Sequence, residues 1–138
     1  MLLEIEKTVV EGAGGSGLAA LLRHGARFHG KRAGVVLSGG NIDPLMLAGI
    51  IERGMVRTGR LARLTVELLD RPGALAQVTA CLAEVQANIQ EIVHQRAFTS
   101  LPVQAVAVDL VLETRGPDHV REVRAALEQL GFKVDVRN

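Results

Sequence analysis

A chain of 138 residues, 48% hydrophobic and 22% charged, has room for one ordinary domain or two small ones and enough apolar side chains for a real core. A formal net charge of +1 leaves no basic footprint for nucleic acid or an anionic membrane, and three Phe with no Trp or Tyr leave bases little to stack on. A single cysteine cannot form an internal disulfide, no apolar run approaches the ~18 residues of a membrane span, and no basic-then-apolar leader pattern opens the chain, so the expectation is a soluble cytoplasmic protein.

Residues 1–57 are rich in Gly and Ala. Between Glu4 and Phe28, Leu18, Leu21 and Leu22 lie close to Ala19 and Ala20 in a helical stretch. Gly12-Ala13-Gly14-Gly15-Ser16-Gly17 has the G-x-G-x-x-G spacing of a dinucleotide turn, which needs a buried strand before it and an acid after the next strand to hold a ribose. Leu3-Glu4-Ile5-Glu6-Lys7 is too charged for that strand, and Ser38-Gly39-Gly40-Asn41 supplies no acid, so a nicotinamide site is set aside. Ala33-Gly34-Val35-Val36-Leu37 predicts a short apolar strand ending at Ser38–Asn41. Glycines there let a ligand approach the backbone, and Ser38 can bond a ring nitrogen; the same residues also make an ordinary strand-to-helix turn. Asp43-Pro44 predicts the cap and first residue of a helix through Leu45, Leu47, Ile50 and Ile51.

One strand and about two helices bury too little to stand alone, so this half reads as the end of a larger α/β domain. The apolar side chains Leu37, Leu45, Leu47, Ile50 and Ile51 are then expected to dock on another surface or to leave the segment disordered. Gly54-Met55-Val56-Arg57-Thr58-Gly59-Arg60, bracketed by glycines and without apolar periodicity, reads as a linker.

From Leu61 the pattern sharpens. Leu64, Val66 and Leu68 alternate with Thr65 and Glu67, the mark of a half-buried strand over 61–69. Asp70-Arg71-Pro72-Gly73-Ala74-Leu75 then turns directly into a helix whose Leu75, Val78, Leu82 and Val85 recur at helical spacing to about Gln86. A strand entering a helix this sharply leaves amide groups at the helix start without an internal partner, a place for a carboxylate or other small anion. Asn88 and Ile89 lead a second strand to about Ala97, and Thr99-Ser100-Leu101-Pro102 breaks it. Val106, Val108, Leu110 and Leu112 oppose Asp109 and Glu113 in a third. Gly116-Pro117-Asp118 starts a helix with Val120, Val123, Leu127 and Leu130 as its stripe, Gly131 ends it, and Phe132, Val134 and Val136 alternate in a final strand.

The order βαββαβ predicts an α+β, ferredoxin-like fold, an antiparallel four-stranded sheet with both helices on one face. Thr65, Glu67, Leu69, Asp109, Glu113, Lys133, Asp135 and Arg137 fall on the other. Unpaired edge strands point to a homodimer, by edge pairing or sheet packing. His24, His29, His94 and His119 show no ligand spacing, so no metal site is assigned, and Cys81 reads as core packing.

Three segments in order, Val9-Val10-Glu11-Gly12-Ala13-Gly14, Leu37-Ser38-Gly39-Gly40-Asn41-Ile42-Asp43 and Asp70-Arg71-Pro72-Gly73-Ala74-Leu75, resemble the C-terminal part of threonine ammonia-lyases (threonine dehydratases) of the single-ACT-domain kind. The resemblance covers nearly the whole chain. It implies that 1–57 is the last part of a fold-type-II pyridoxal phosphate (PLP) domain, an αβα fragment, with Ser38 on the cofactor's pyridine nitrogen, Gly39, Gly40 and Asn41 completing that loop, and Glu11 beside the cofactor. It implies that 58–138 is an ACT domain, which binds amino acids, usually across a dimer interface. The effector site then falls at Asp70, Arg71, Pro72, Gly73, Ala74 and Leu75, with Asn88 and Ile89.

The same resemblance carries departures. The family converts threonine to 2-oxobutyrate and ammonia with PLP on a lysine in a segment like Ser-Phe-Lys-x-Arg-Gly, and none of Lys7, Lys31 and Lys133 has such a setting. No glycine run for the cofactor phosphate is present either. The expectation is that this chain alone has no catalytic residues, holds no PLP and performs no lyase reaction. Its predicted role is a homodimeric or higher-order regulatory module for isoleucine, valine, threonine or serine. Two other readings stand beside it: a threonine or serine dehydratase completed by a separate catalytic part, and a structural dimerisation module without ligand.

Overall fold

The structure is a computed structural model that describes residues 2–96, 102 and 104–137. It divides into two compact units, Met1–Ile50 and Ile51–Asn138. No helix among the described residues is long and apolar enough to cross a membrane.

In the first unit a π-helical turn, Leu2–Glu6, precedes helices α1 (Ser16–Arg23) and α2 (Gly25–Phe28) and the start of α3 (Pro44–Arg57). Asp43 caps α3 as expected: its Oδ1 accepts the Met46 N–H at 3.0 Å and its carbonyl accepts that of Leu47 at 2.9 Å. The strand expected at Ala33–Leu37 does not form. A strand is held by its neighbours' main chain, and no strand of this unit among the described residues offers one. Several apolar side chains here stand in the open, with Val36 85% and Leu45 84% exposed, whereas Leu47 is half-buried.

The segment read as a linker is also largely helical, because α3 runs through Gly54 to Arg57. An interior glycine costs about 1 kcal/mol, which a helix of this length absorbs. The residue that stops α3 is Gly59, left-handed at φ +66°. Its N–H donates to the Val56 carbonyl at 3.0 Å and the Arg60 N–H to that of Met55 at 2.9 Å, the paired bonds of a Schellman ending.

The second unit follows the alternation closely. Strands β1 (Leu61–Leu69), β2 (Asn88–Gln95), β3 (Ala105–Glu113) and β4 (Lys133–Arg137) form one sheet in the order β2-β3-β1-β4, every pair antiparallel. Helices α4 (Ala74–Glu84) and α5 (Pro117–Gln129) make the two crossovers, which gives the expected ferredoxin-like βαββαβ fold. Leu64 faces Leu110 and Val66 faces Val108 across the central pair. These four lie buried with Leu82, Leu127, Val78 and Val123 of the helices. The break expected at Thr99–Leu101 and the strand end at Ala97 lie outside the described residues.

The opposite face of the sheet mixes polar side chains bonded to one another with the apolar Leu69, Val93 and Val111. Asp109 accepts from Thr65 at 2.6 Å and from Gln95 at 2.9 Å, and Lys133 Nζ donates to Glu67 at 2.6 Å. Cys81 is buried against the core, and burial, then the Glu84 carboxylate, pushes its thiol pKa up, as befits packing rather than chemistry.

Gly131 ends α5 at φ +85° as expected, whereas the equivalent position after α4 is Gln86 at φ +58°. Just beyond it a histidine joins the two helices. His119 is 4% exposed; its Nδ1 accepts the Arg115 N–H at 3.0 Å, which leaves Nε2 to donate to the Val85 carbonyl at 2.7 Å. The start of α5 is thereby tied to the end of α4. Replacement of His119 by Ala strands a main-chain donor and a main-chain acceptor. We expect His119→Ala to lower the urea-unfolding free energy by about 1–3 kcal/mol at unchanged m value; a midpoint equal to the parent's would refute the tie.

Candidate functional site

At the end of β1 the chain bends through four exposed residues, Asp70 to Gly73, before α4 begins. The Asp70 N–H donates to the Gln104 carbonyl at 2.9 Å and the Arg71 N–H to that of Leu69 at 2.8 Å. Gly73 is left-handed at φ +87°, and its carbonyl accepts the Gln77 N–H at 3.1 Å. A Cβ at Gly73 would meet nothing within 4 Å, so backbone conformation and not space demands glycine there.

The helix start has no side-chain cap. Among the described residues the N–H groups of Gly73, Leu75 and Ala76 have no acceptor, and Arg71 has no carboxylate partner. The Ala74 N–H, by contrast, donates to the Arg71 carbonyl at 3.2 Å, so of the three amides expected to be open at Gly73 to Leu75 this one is committed. Pro72 has no N–H to give. Leu75 is half-buried and packs on the core beneath the bend. Asp70 is engaged as well, accepting from Arg96 Nη2 at 3.0 Å. Arg96 carries no motif that would have singled it out; only the pairing of β2 with β3 brings it to the bend.

Asn88 and Ile89 lie elsewhere. Asn88 pairs with Glu113, and Glu113 with Leu61, whereas the bend follows Leu69. The length of β1 therefore separates them, about 26 Å at ~3.3 Å per residue. Within one chain the expected effector residues form two groups at opposite ends of the sheet. Open grooves of about 540 and 480 Å3 in this unit lie at the Leu61 end and not at the bend.

In the first unit the expected neighbours do meet. The Glu11 N–H donates to the Gly39 carbonyl at 2.9 Å, and Gly39 is left-handed at φ +75°. A Cβ there would lie 2.5 Å from Glu11 Oε1, and one at Gly14 would lie 1.7 Å from the Ser38 carbonyl oxygen. Close backbone approach, rather than a phosphate, thus accounts for Gly14 in the glycine-rich turn. Ser38, Gly40 and Asn41 are exposed beside this contact. No group of three or more His, Cys, Asp or Glu among the described residues is placed to hold a metal ion.

Around Asn88 the electrostatics are local. Glu113 accepts from Gln90 Nε2 at 2.7 Å and from Asn88 Nδ2 at 3.1 Å; these two bonds, the first the stronger, hold its carboxyl below the ordinary glutamate range against a small opposing effect of burial. Gln90 reaches it from the bulge between Ile89 and Glu91. A depressed carboxyl contributes stability above its unfolded pKa and loses it as pH falls through the folded one. In an NMR titration we expect Glu113 to protonate below the ordinary glutamate range, and Gln90→Leu to move it up; no movement would discount the bond.

Residues 62–132 match the family model for the ACT domain. An L-threonine ammonia-lyase of Geobacter sulfurreducens is 47% identical over 135 residues, 98% of this chain and 34% of that protein. One of Thermotoga maritima is 38% identical over 135 residues, 98% of this chain and 33% of its own length. The chain thus spans about a third of the curated relatives it matches. Among solved structures, the ACT domain from the GTP pyrophosphokinase of Chlorobium tepidum is 19% identical, with 56% of this chain and 96% of that chain covered and a TM-score of 0.45.

Proposed function

This chain belongs to the ACT domain family, and we propose that it binds a small amino acid as the regulatory part of a PLP-dependent threonine ammonia-lyase. The observation that carries this reading is the bend itself: at the start of an 11-residue helix, the amides of Gly73, Leu75 and Ala76 and the exposed Arg71 side chain have no partner among the described residues. An amino-acid carboxylate would accept from those amides and from Arg71, with the helix dipole adding about 0.3–1 kcal/mol. The ligand's ammonium needs an acceptor. Asn88 keeps its Oδ1 for that, since its Nδ2 serves Glu113. Being a strand's length away in its own chain, Asn88 can contribute only from a second copy, so the proposed site spans a homodimer. Isoleucine, valine, threonine and serine are the candidate effectors. A ligand that binds two arrangements of the dimer unequally would bias a catalytic domain attached to it.

The cofactor reading is narrower. Glu11, Ser38 and the left-handed Gly39 form a cradle that suits one edge of PLP, but the group also needs a lysine. Lys7 Nζ donates to the Glu4 carbonyl at 2.7 Å, Lys133 is on β4 bonded to Glu67, and Lys31 follows α2, its main-chain N–H on the Phe28 carbonyl at 3.0 Å. These residues do not fit the complete site, so no lyase step is assigned to this chain alone. A buried, unreactive Cys81 is in keeping with a reducing cytoplasm, where we place the protein.

Calorimetric titration of the full chain with the four amino acids tests the proposal. We expect saturable heat with at least one of them and its loss in Gly73→Val, a change that strains the left-handed bend and covers its amides. A melting temperature indifferent to all four, in a stable dimer, would replace sensing with assembly alone. Added PLP should give no visible absorbance that survives gel filtration, and threonine should yield no 2-oxobutyrate; a coloured, active protein would overturn the cofactor reading.

A further inference from the structure

A groove of about 480 Å3 opens between the last turn of α3, the first half of α5 and β4, at the far end of β1 from the bend. Its floor is aliphatic: Leu61 and Ala62 of β1, Val120 of α5, Val136 of β4 and Val56 of α3. Its rim is cationic, with Arg57, Arg121 and Arg124, and no acidic or amide side chain lines it. The Arg57 side chain has neither ion pair nor hydrogen bond among the described residues. Arg121 meets Asp118 through one Nη2, and Arg124 meets Glu128 through Nε at 2.7 Å, so each guanidinium keeps further N–H groups to offer.

The groove is also preformed. Thr114 Oγ1 donates to the Gly59 carbonyl and the Thr114 N–H donates to that of Arg60 at 2.9 Å. Gly59 presses so closely on the start of α5 that a Cβ would lie 2.8 Å from Pro117 N. The turn carrying Val56 and Arg57 is thus clasped to the wall opposite, and little ordering is left for a ligand to impose.

We propose that this groove is a second small-molecule site, one for a short branched aliphatic carboxylate without an ammonium group, such as a 2-oxo acid. The carboxylate matches the planar donor forks of the rim, and a branched alkyl group covers the valine and leucine floor. An amino acid of the same shape brings an ammonium into a rim of like charge with no side-chain acceptor to receive it. The two ends of β1 would then discriminate opposite chemistries, the zwitterion at the bend and its deaminated counterpart here. This inference is independent of the effector proposal.

Valine-methyl NMR on the full chain tests it, with 3-methyl-2-oxobutanoate as probe and valine and 3-methylbutan-2-one as controls lacking the keto-acid pattern. We expect saturable shifts of the Val56, Val120 and Val136 methyls with the oxo acid, and half-saturation at least about tenfold higher for either control. Arg57→Gln combined with Arg124→Gln should raise the oxo-acid half-saturation at least about tenfold, since each removes a charge-assisted bond; Gly73→Val should leave it unchanged. Shifts that rise linearly without saturating, an equal response to valine, or an undiminished response in the double variant would each overturn the groove. Loss of the oxo-acid response in Gly73→Val would move the ligand to the bend and overturn it too. Valine heat without these shifts rejects the groove alone, and the shifts without heat from any of the four amino acids reject the bend alone.

Discussion

The facing of Leu64 on Leu110 and Val66 on Val108 is the contact from which the second unit is built. Strand side chains alternate strictly, so once these four are turned toward the helices every neighbour is assigned to the other side. A slip of one residue would bury Thr65, Glu67 and Asp109 and put the leucines in water. The register therefore locates the bend: β1 must end where its last inward side chain, Leu68, is covered, and the chain has to turn at Asp70 to bring Ala74 and Val78 back over the sheet. The open amides at the start of α4 are a by-product of that geometry. The far end of β1 is set by the same contact, where Leu61 and Ala62 floor the cationic groove.

Sequence was a good guide wherever the partner of a pattern lay within the chain. All four strands and both helices of the second unit were legible from periodicity, and Gly131 was legible as the end of α5 because a left-handed residue is needed there. Ala33–Leu37 failed for the converse reason. An apolar run announces that it can be buried, and it becomes a strand only beside another. Gly54 misled through its cost, which is real but smaller than the cooperative gain of continuing a helix; the true terminator five residues on is distinguished by conformation, not by composition.

The candidate sites divide in the same way. Asp70 to Leu75 could be found because strand, turn and helix are contiguous, and so could the meeting of Glu11 with Gly39. That Asp70 is held by Arg96, that Ala74 has already spent its amide, and that Asn88 stands a strand away follow from pairing between distant segments. His119 was invisible for a related reason. Its two ring nitrogens serve main-chain atoms, which have no signature in the residue types around it.

Gln86 has a consequence of its own. A side chain held in the left-handed region carries roughly 1–2 kcal/mol that glycine would not. The fold therefore operates below its attainable stability at the joint between α4 and β2, and it keeps that deficit where Ala87 still enters the core immediately afterwards. For anyone adapting this scaffold, Gln86 is an unspent reserve, available without touching either the bend or the cationic groove.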